Sequence, residues 1–176
     1  KFIEPKVLSD KLLSELDELV PFDRLHMTTA INVIRIADEY FPAVWHVACF
    51  DTAFYESMPK VAQMLPLPKK FKEMGFRRYG FHGLSYEFLA EEFRNMCGAE
   101  AADARVIYAQ LGSGVSLTAT NRGISVDTTM GMTSNSGVPM STRSGSMDSG
   151  VFELLHTLGG VEYGDIDGLL SGESGL

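Results

Sequence analysis

Three short β-rich runs, residues 106–111, 115–120 and 124–129, follow one another with only Gly112-Ser113-Gly114 and Asn121-Arg122-Gly123 between them. Glycine-bearing turns of that length join antiparallel neighbours. The spacing predicts a three-stranded antiparallel meander over 105–129. Most of the remaining periodic sequence reads as helix, so the fold class is α/β. Leu8, Leu12, Leu16 and Leu19 recur at helical spacing within 6–20, and Pro21 stops that helix. A second helix is predicted over 30–40 and a third over 84–96, the latter closed by Gly98. Residues 44–50 are short and apolar and read as a buried strand of the parallel kind. Prolines and a glycine break the pattern from 51 to 78, which predicts a connection with a helical turn or two. Residues 130–150 are rich in Gly, Ser, Thr and Met and show no period. A loop that long is usually functional or disordered. Helices are expected again over 151–158, capped by Asp148 or Ser149, and over 165–170.

Charge narrows the partners. The formal net charge is −8 over 176 residues. Nucleic acid and anionic membranes require a positive surface, so neither is the expected partner. An anionic substrate would need a local positive pocket. No stretch is long enough to span a bilayer, and the first residues form no signal peptide, so a cytoplasmic location is expected. Cys49, within an apolar run, and Cys97 read as buried free thiols.

Four constellations could carry chemistry. Asp51 directly follows the apolar run, where ligands gather in open α/β sheets, but a turn or helix-cap Asp reads the same way. Arg77-Arg78-Tyr79-Gly80-Phe81-His82-Gly83 precedes a helix, and a helix N-terminus favours an anion; His82 is equally readable as a capping or core histidine. Leu111-Gly112-Ser113-Gly114-Val115-Ser116 at the first hairpin can wrap a phosphate with backbone N–H groups, or be a plain turn. Arg143 stands among small residues in the long loop, free to reach a phosphate with its fork or to face solvent. There is no Walker A sequence, no G-x-G-x-x-G after a strand and no G-x-S-x-G elbow. The four histidines lack metal-ligand spacing.

In order along the chain, these segments resemble the acetate and propionate kinase family. The resemblance runs through His46-Val47-Ala48-Cys49-Phe50-Asp51-Thr52-Ala53-Phe54, then Arg77 to Gly83 with Ser85, Leu111-Gly112 with Gly114, Asp127-Thr128-Thr129-Met130-Gly131, and Thr142-Arg143-Ser144-Gly145. It covers nearly the whole chain and implies an actin-like ATPase (ribonuclease H-like) fold. Residues 1–52 would end an N-terminal domain and 53–176 would begin a C-terminal one, both incomplete. It also implies reversible transfer of the γ-phosphoryl of ATP, with Mg²⁺, to a short carboxylate, giving an acyl phosphate. Asp51, His82, Arg143 and His26 match the family's catalytic positions; Gln110, Leu111, Gly112, Ser113 and Gly114 match its ATP phosphate loop. Leu25, Phe81 and Ser134 match the acyl pocket. The family usually has His at Gln110, Asn at Ser113, a second His at Tyr86, Pro at Ser134 and Asp at Ser146. The resemblance further implies an internal piece of a longer, homodimeric protein, with the metal ligands and adenosine pocket elsewhere. The contrasting expectation is a truncated or degenerate relative that acts only by association.

Overall fold

The computed structural model describes residues 2–176, apart from the side chains of Arg24 and Leu25. The chain begins with strand β1 (Lys6–Val7) and helix α1 (Asp10–Asp17). A helix over 6–20 was the expectation, but Ser9 sets a later start: its Oγ accepts the Leu12 N–H at 3.2 Å. A 3-10 turn, Val20–Phe22, leads into helix α2 (Arg24–Tyr40). That helix starts at Arg24 rather than at residue 30, because Asp23 O already accepts the Met27 N–H at 3.0 Å. The earlier start places His26 in its first turn.

Strand β2 is only Val47–Ala48 and pairs antiparallel with β1, Lys6 opposite Ala48 and Val7 opposite Val47. The buried parallel strand expected over 44–50 is therefore corrected. Alternation explains the difference: Ala48 and Phe50 pack on the core of Phe2, Leu12, Leu16 and Ile31, while Trp45, Val47 and Cys49 face out, Trp45 at 84% exposure. Cys49 and Cys97 are both free and exposed, not buried.

Asp51–Tyr55 forms a 3-10 turn, followed by short helices α3 (Lys60–Gln63) and α4 (Lys69–Glu73). Helix α5 (Gly83–Cys97) ends at Gly98, whose N–H bonds Arg94 O at 2.9 Å, and α6 (Ala99–Ala102) follows. Strands β3 (Arg105–Leu111), β4 (Val115–Asn121) and β5 (Ile124–Thr128) form the meander, in the order β3-β4-β5 and antiparallel throughout. Its buried face is polar: Ser116, Thr118, Thr120, Ser125 and Thr128 point inward. The threonine hydroxyls are satisfied at the sheet itself, Thr118 Oγ1 donating to Asp127 O at 3.0 Å, Thr120 Oγ1 to Val106 O and Thr128 Oγ1 to Leu117 O, both at 3.2 Å. A second core, Tyr55, Met58, Tyr86 and Tyr108, joins the 3-10 turn and α5 to this sheet.

Residues 129–149 contain neither helix nor strand. Helix α7 (Gly150–Thr157) starts where Asp148 Oδ1 accepts the Gly150 N–H at 2.8 Å, and α8 (Tyr163–Gly172) runs longer than 165–170. Among the described residues, no helix is long and apolar enough to cross a membrane.

Candidate functional site

Residues 80–84 form a turn with no room for a side chain at Gly80 or Gly83. Gly80 has φ +74° and presses on the Tyr55 ring, where an added Cβ would come within 2.5 Å. At Gly83 the same atom would stand 1.8 Å from Asp51 O. Between them His82 is left-handed, φ 61° and ψ 22°, a conformation that costs a non-glycine residue about 1–3 kcal/mol and survives only where its surroundings enforce it. Asp51 provides much of that enforcement. Its Oδ2 accepts the His82 N–H at 3.1 Å and its Oδ1 the Leu84 N–H at 3.3 Å. The carboxylate therefore caps α5 from thirty-one positions upstream, supplying acceptors to N–H groups that a helix start leaves unpaired. Tyr55 adds a hydrogen bond from its hydroxyl to Phe81 O at 2.7 Å.

The His82 ring bridges two places. Nδ1 lies 2.8 Å from the buried Ser116 Oγ on β4. Nε2 faces the glycine hairpin, 3.6 Å from the point a Gly114 Cβ would occupy. Burial holds the imidazole below the ordinary histidine range; Asp51 opposes that shift, while Arg143 and His26 add to it.

Arg143 arrives at the same point from the long loop, its Nη1 3.7 Å from that Gly114 position. The acceptors that hold it are neutral. Nη1 donates to Ser134 O at 3.1 Å and lies 3.7 Å from Met140 Sδ; Nη2 is 3.4 Å from His26 Nε2. His26 Nδ1 is in turn 3.0 Å from Asp23 Oδ1, which orients the ring with Nε2 toward the guanidinium. Among the described residues no carboxylate lies within 4.0 Å of Arg143, so its charge is available to an anion.

Asp51, His82, Arg143, His26, Phe81 and Ser134 all line one cavity of about 540 Å³, whose apolar lining includes Leu19, Phe22 and Phe50. Gln110, Leu111 and Ser113 lie along the hairpin next to it, and the Gly112 N–H closes the turn onto Gly114 O at 3.1 Å. The Leu25 side chain lies outside the described residues. Arg77 and Arg78 do not join the site. Arg77 bonds Gln63 Oε1 at 2.7 Å, and Arg78 pairs with Asp127 at 3.0 Å and donates to Thr128 O. Sequence reasoning passes over Tyr55 and the Ser134 carbonyl, and reads Ser116 only as part of the hairpin, not as the partner of His82. No local motif marks them, since each acts through contacts made across the fold. Among the described residues no group of three or more His, Cys, Asp or Glu side chains is placed to hold a metal ion.

Comparison with known proteins agrees along the whole chain. It is 42% identical over 172 residues to an acetate kinase of Methylocella silvestris, covering 98% of this chain and 42% of that protein. It is 38% identical over 176 residues to a propionate kinase of Yersinia enterocolitica, covering 99% and 43%. Among solved structures, a propionate kinase from Francisella tularensis superposes with a TM-score of 0.91 at 32% identity, covering 99% of this chain and 45% of that one. Acetate kinase from Porphyromonas gingivalis superposes at 0.86 with 31% identity, covering 99% and 44%. The chain thus spans less than half the length of these relatives. It carries the matching part of an actin-like ATPase fold. The family profile matches residues 1–176 from end to end, and the chain belongs to the acetokinase family.

Proposed function

We propose that these residues form the phosphoryl-transfer part of a kinase that moves the γ-phosphoryl of ATP, reversibly, to a short-chain carboxylate such as acetate or propionate. The observation that carries this reading is the approach of His82 Nε2 and Arg143 Nη1 to one point beside the Gly114 hairpin. Two donors, one of them a cation with no carboxylate partner among the described residues, suit the equatorial oxygens of a transferring phosphoryl group. A carboxylate acceptor has a pKa of about 4 and is already ionised at neutral pH, so no general base is required. Asp51 accordingly acts as a positioning residue, holding the His82 turn through its two backbone hydrogen bonds. His26 steers Arg143, and the apolar wall of the cavity receives the acyl group.

The residues 110–114 hairpin fits the ATP phosphates, because bare glycine backbone leaves room beside His82 and Arg143. The family uses ATP with Mg²⁺, and Asp51 at the cavity edge is the carboxylate that stands beside this part of the site. The division at 52/53, a homodimer and a cytoplasmic location belong to the same reading. The division is supported by the two cores, Phe2–Ile31 before it and Tyr55–Tyr108 after it.

An acyl-hydroxamate assay on the full-length protein tests the proposal. With ATP, Mg²⁺ and acetate or propionate it yields product; Arg143→Ala lowers kcat on the order of 10³-fold with little change in KM. Residues 1–176 alone give none. A full-length protein without product would turn the reading to a relative that acts only by association.

A further inference from the structure

The side of His82 turned away from the cavity meets two buried hydroxyls. Ser116 and Tyr86 are both 0% exposed. Ser116 Oγ lies 2.8 Å from His82 Nδ1 and 2.5 Å from Tyr86 Oη. The Tyr86 hydroxyl also reaches Ser116 O, at 2.7 Å. Three groups therefore form a chain from the ring to the backbone of β4. Phe54 packs against the Tyr86 ring, with centroids 6.1 Å apart. Burial pushes the Tyr86 hydroxyl above the ordinary tyrosine range, so it keeps its proton.

Hydrogen-bond direction in such a chain can run either way. When Nδ1 carries no proton, the Ser116 hydroxyl donates to it, and the Tyr86 hydroxyl donates to Ser116. When Nδ1 is protonated, it donates to Ser116 Oγ, Ser116 donates to Tyr86 Oη, and Tyr86 donates to Ser116 O. Both arrangements leave every donor with an acceptor, and only two hydroxyl hydrogens turn. The imidazole itself stays in place.

We propose that Ser116 and Tyr86 are positioning residues for His82. Their hydroxyls satisfy Nδ1 in both of its protonation states, so that, with an anion beside Nε2, the Nε2 proton faces the Gly114 hairpin whether the ring is neutral or cationic. The role in catalysis rests on the kinase reading above; the hydrogen-bond chain does not. An anion held between His82 and Arg143 needs a donor at Nε2, and a neutral ring supplies one only when its other nitrogen is held as an acceptor. Around His82 the other titrating or charged groups are Asp51 from the 3-10 turn, Arg143 from the loop and His26 from α2. None of these touches Nδ1 in the structure, where the contact is Ser116.

The experiment uses the full-length protein with ¹⁵N-labelled histidine. Long-range ¹H–¹⁵N spectra read the proton on each His82 nitrogen across pH, with and without inorganic phosphate. His82→Gln assigns the signals. In the wild-type protein with phosphate, Nδ1 is the bare nitrogen of the neutral ring. Ser116→Ala mixes the two neutral tautomers and lowers kcat about tenfold, the loss of one hydrogen bond, while KM for ATP and carboxylate moves less than about twofold. Ser116→Thr, which keeps the hydroxyl, restores the tautomer and most of kcat. Tyr86→Phe keeps the ring shape but removes the acceptor that the cationic arrangement needs, so the His82 titration midpoint falls further. The Tyr86→Phe midpoint remains decisive if Ser116→Ala does not fold. An unmoved tautomer in Ser116→Ala, or an unmoved midpoint in Tyr86→Phe, overturns the proposal. A wild-type protein without kinase activity, but with a Ser116-dependent tautomer, removes the kinase reading and upholds the hydrogen-bond chain.

Discussion

His82 and Arg143 face the same glycine from two differently built segments. The backbone of 81–84 is held chiefly by one stretch, Asp51–Tyr55: two hydrogen bonds accepted by the Asp51 carboxylate, one donated by the Tyr55 hydroxyl, and contact of Gly83 with Asp51 O. The loop around Arg143 takes its support from several directions. Ser141 N and Oγ both donate to Ser113 O, at 3.3 and 3.1 Å. Ser144 N bonds Leu170 O at 2.9 Å, Ser146 N bonds Gly137 O at 2.8 Å, and Leu176 N bonds Met140 O at 3.0 Å. Gly145, at φ +73°, lies against Gly137 O. A side chain can thus be placed by a helix start with one concentrated anchor, or by an irregular loop with many dispersed ones. The first is vulnerable at single positions; the second degrades by increments.

The strongest way to break this comparison is Gly83→Ala. The new methyl would overlap a backbone oxygen rather than a flexible side chain, so the turn must move. A stability loss of about 3 kcal/mol or more is expected, read from the denaturation midpoint, together with loss of turnover. A loss below about 1 kcal/mol would mean that the turn is not rigidly seated. Asp51→Ala comes next. It removes both acceptors from the start of α5 and should cost about 1–2 kcal/mol, with kcat falling more than KM rises because His82 loses its seat. The smallest effect should be that of Ser141→Ala, which removes one of two bonds to Ser113 O and leaves the backbone one in place. About 0.5 kcal/mol is expected. If Ser141→Ala proved as damaging as Gly83→Ala, the loop would be as concentrated in its support as the turn, and the contrast would fail.

How far the sequence announces this site differs between the two segments. The meander is legible from its turns, since Gly112–Gly114 and Asn121–Gly123 permit little else. Which face it buries is not legible. Alternation in Val115-Ser116-Leu117-Thr118-Ala119-Thr120 points the aliphatic residues inward by ordinary hydropathy, yet the hydroxyl residues are the buried ones. Hydrogen bonding to neighbouring carbonyls makes that inversion tolerable, and such bonds are tertiary facts. Gly98 as the stop of α5 is visible locally. The role of Asp51 is half visible: a capping aspartate was one reading, but the helix it caps begins thirty-two residues later. The strand over 44–50 failed because short apolar runs do not reveal how many neighbours cover them; here Trp45 and Val47 face outward. His26 was located through family resemblance, while its place beside Arg143 needs the early start of α2.

The hydroxyl-lined face of the meander also bears on heat. Unfolding raises heat capacity by about 0.45 cal/K/mol for each Å² of apolar surface exposed and lowers it by about 0.26 for each Å² of polar surface. Ser116, Thr118, Thr120, Ser125 and Thr128 put polar atoms where most sheets bury valine and leucine. Opening this face therefore adds less to the heat capacity than opening an aliphatic one of equal area, and it flattens the sheet's contribution to the stability curve. The hydrophobic part of folding weakens on cooling, whereas hydrogen bonds such as Thr118 to Asp127 and Thr120 to Val106 do not depend on that driving force. The wall that carries Ser116 behind His82 should therefore weaken less on cooling than the apolar core of Phe2, Leu12, Leu16 and Ile31.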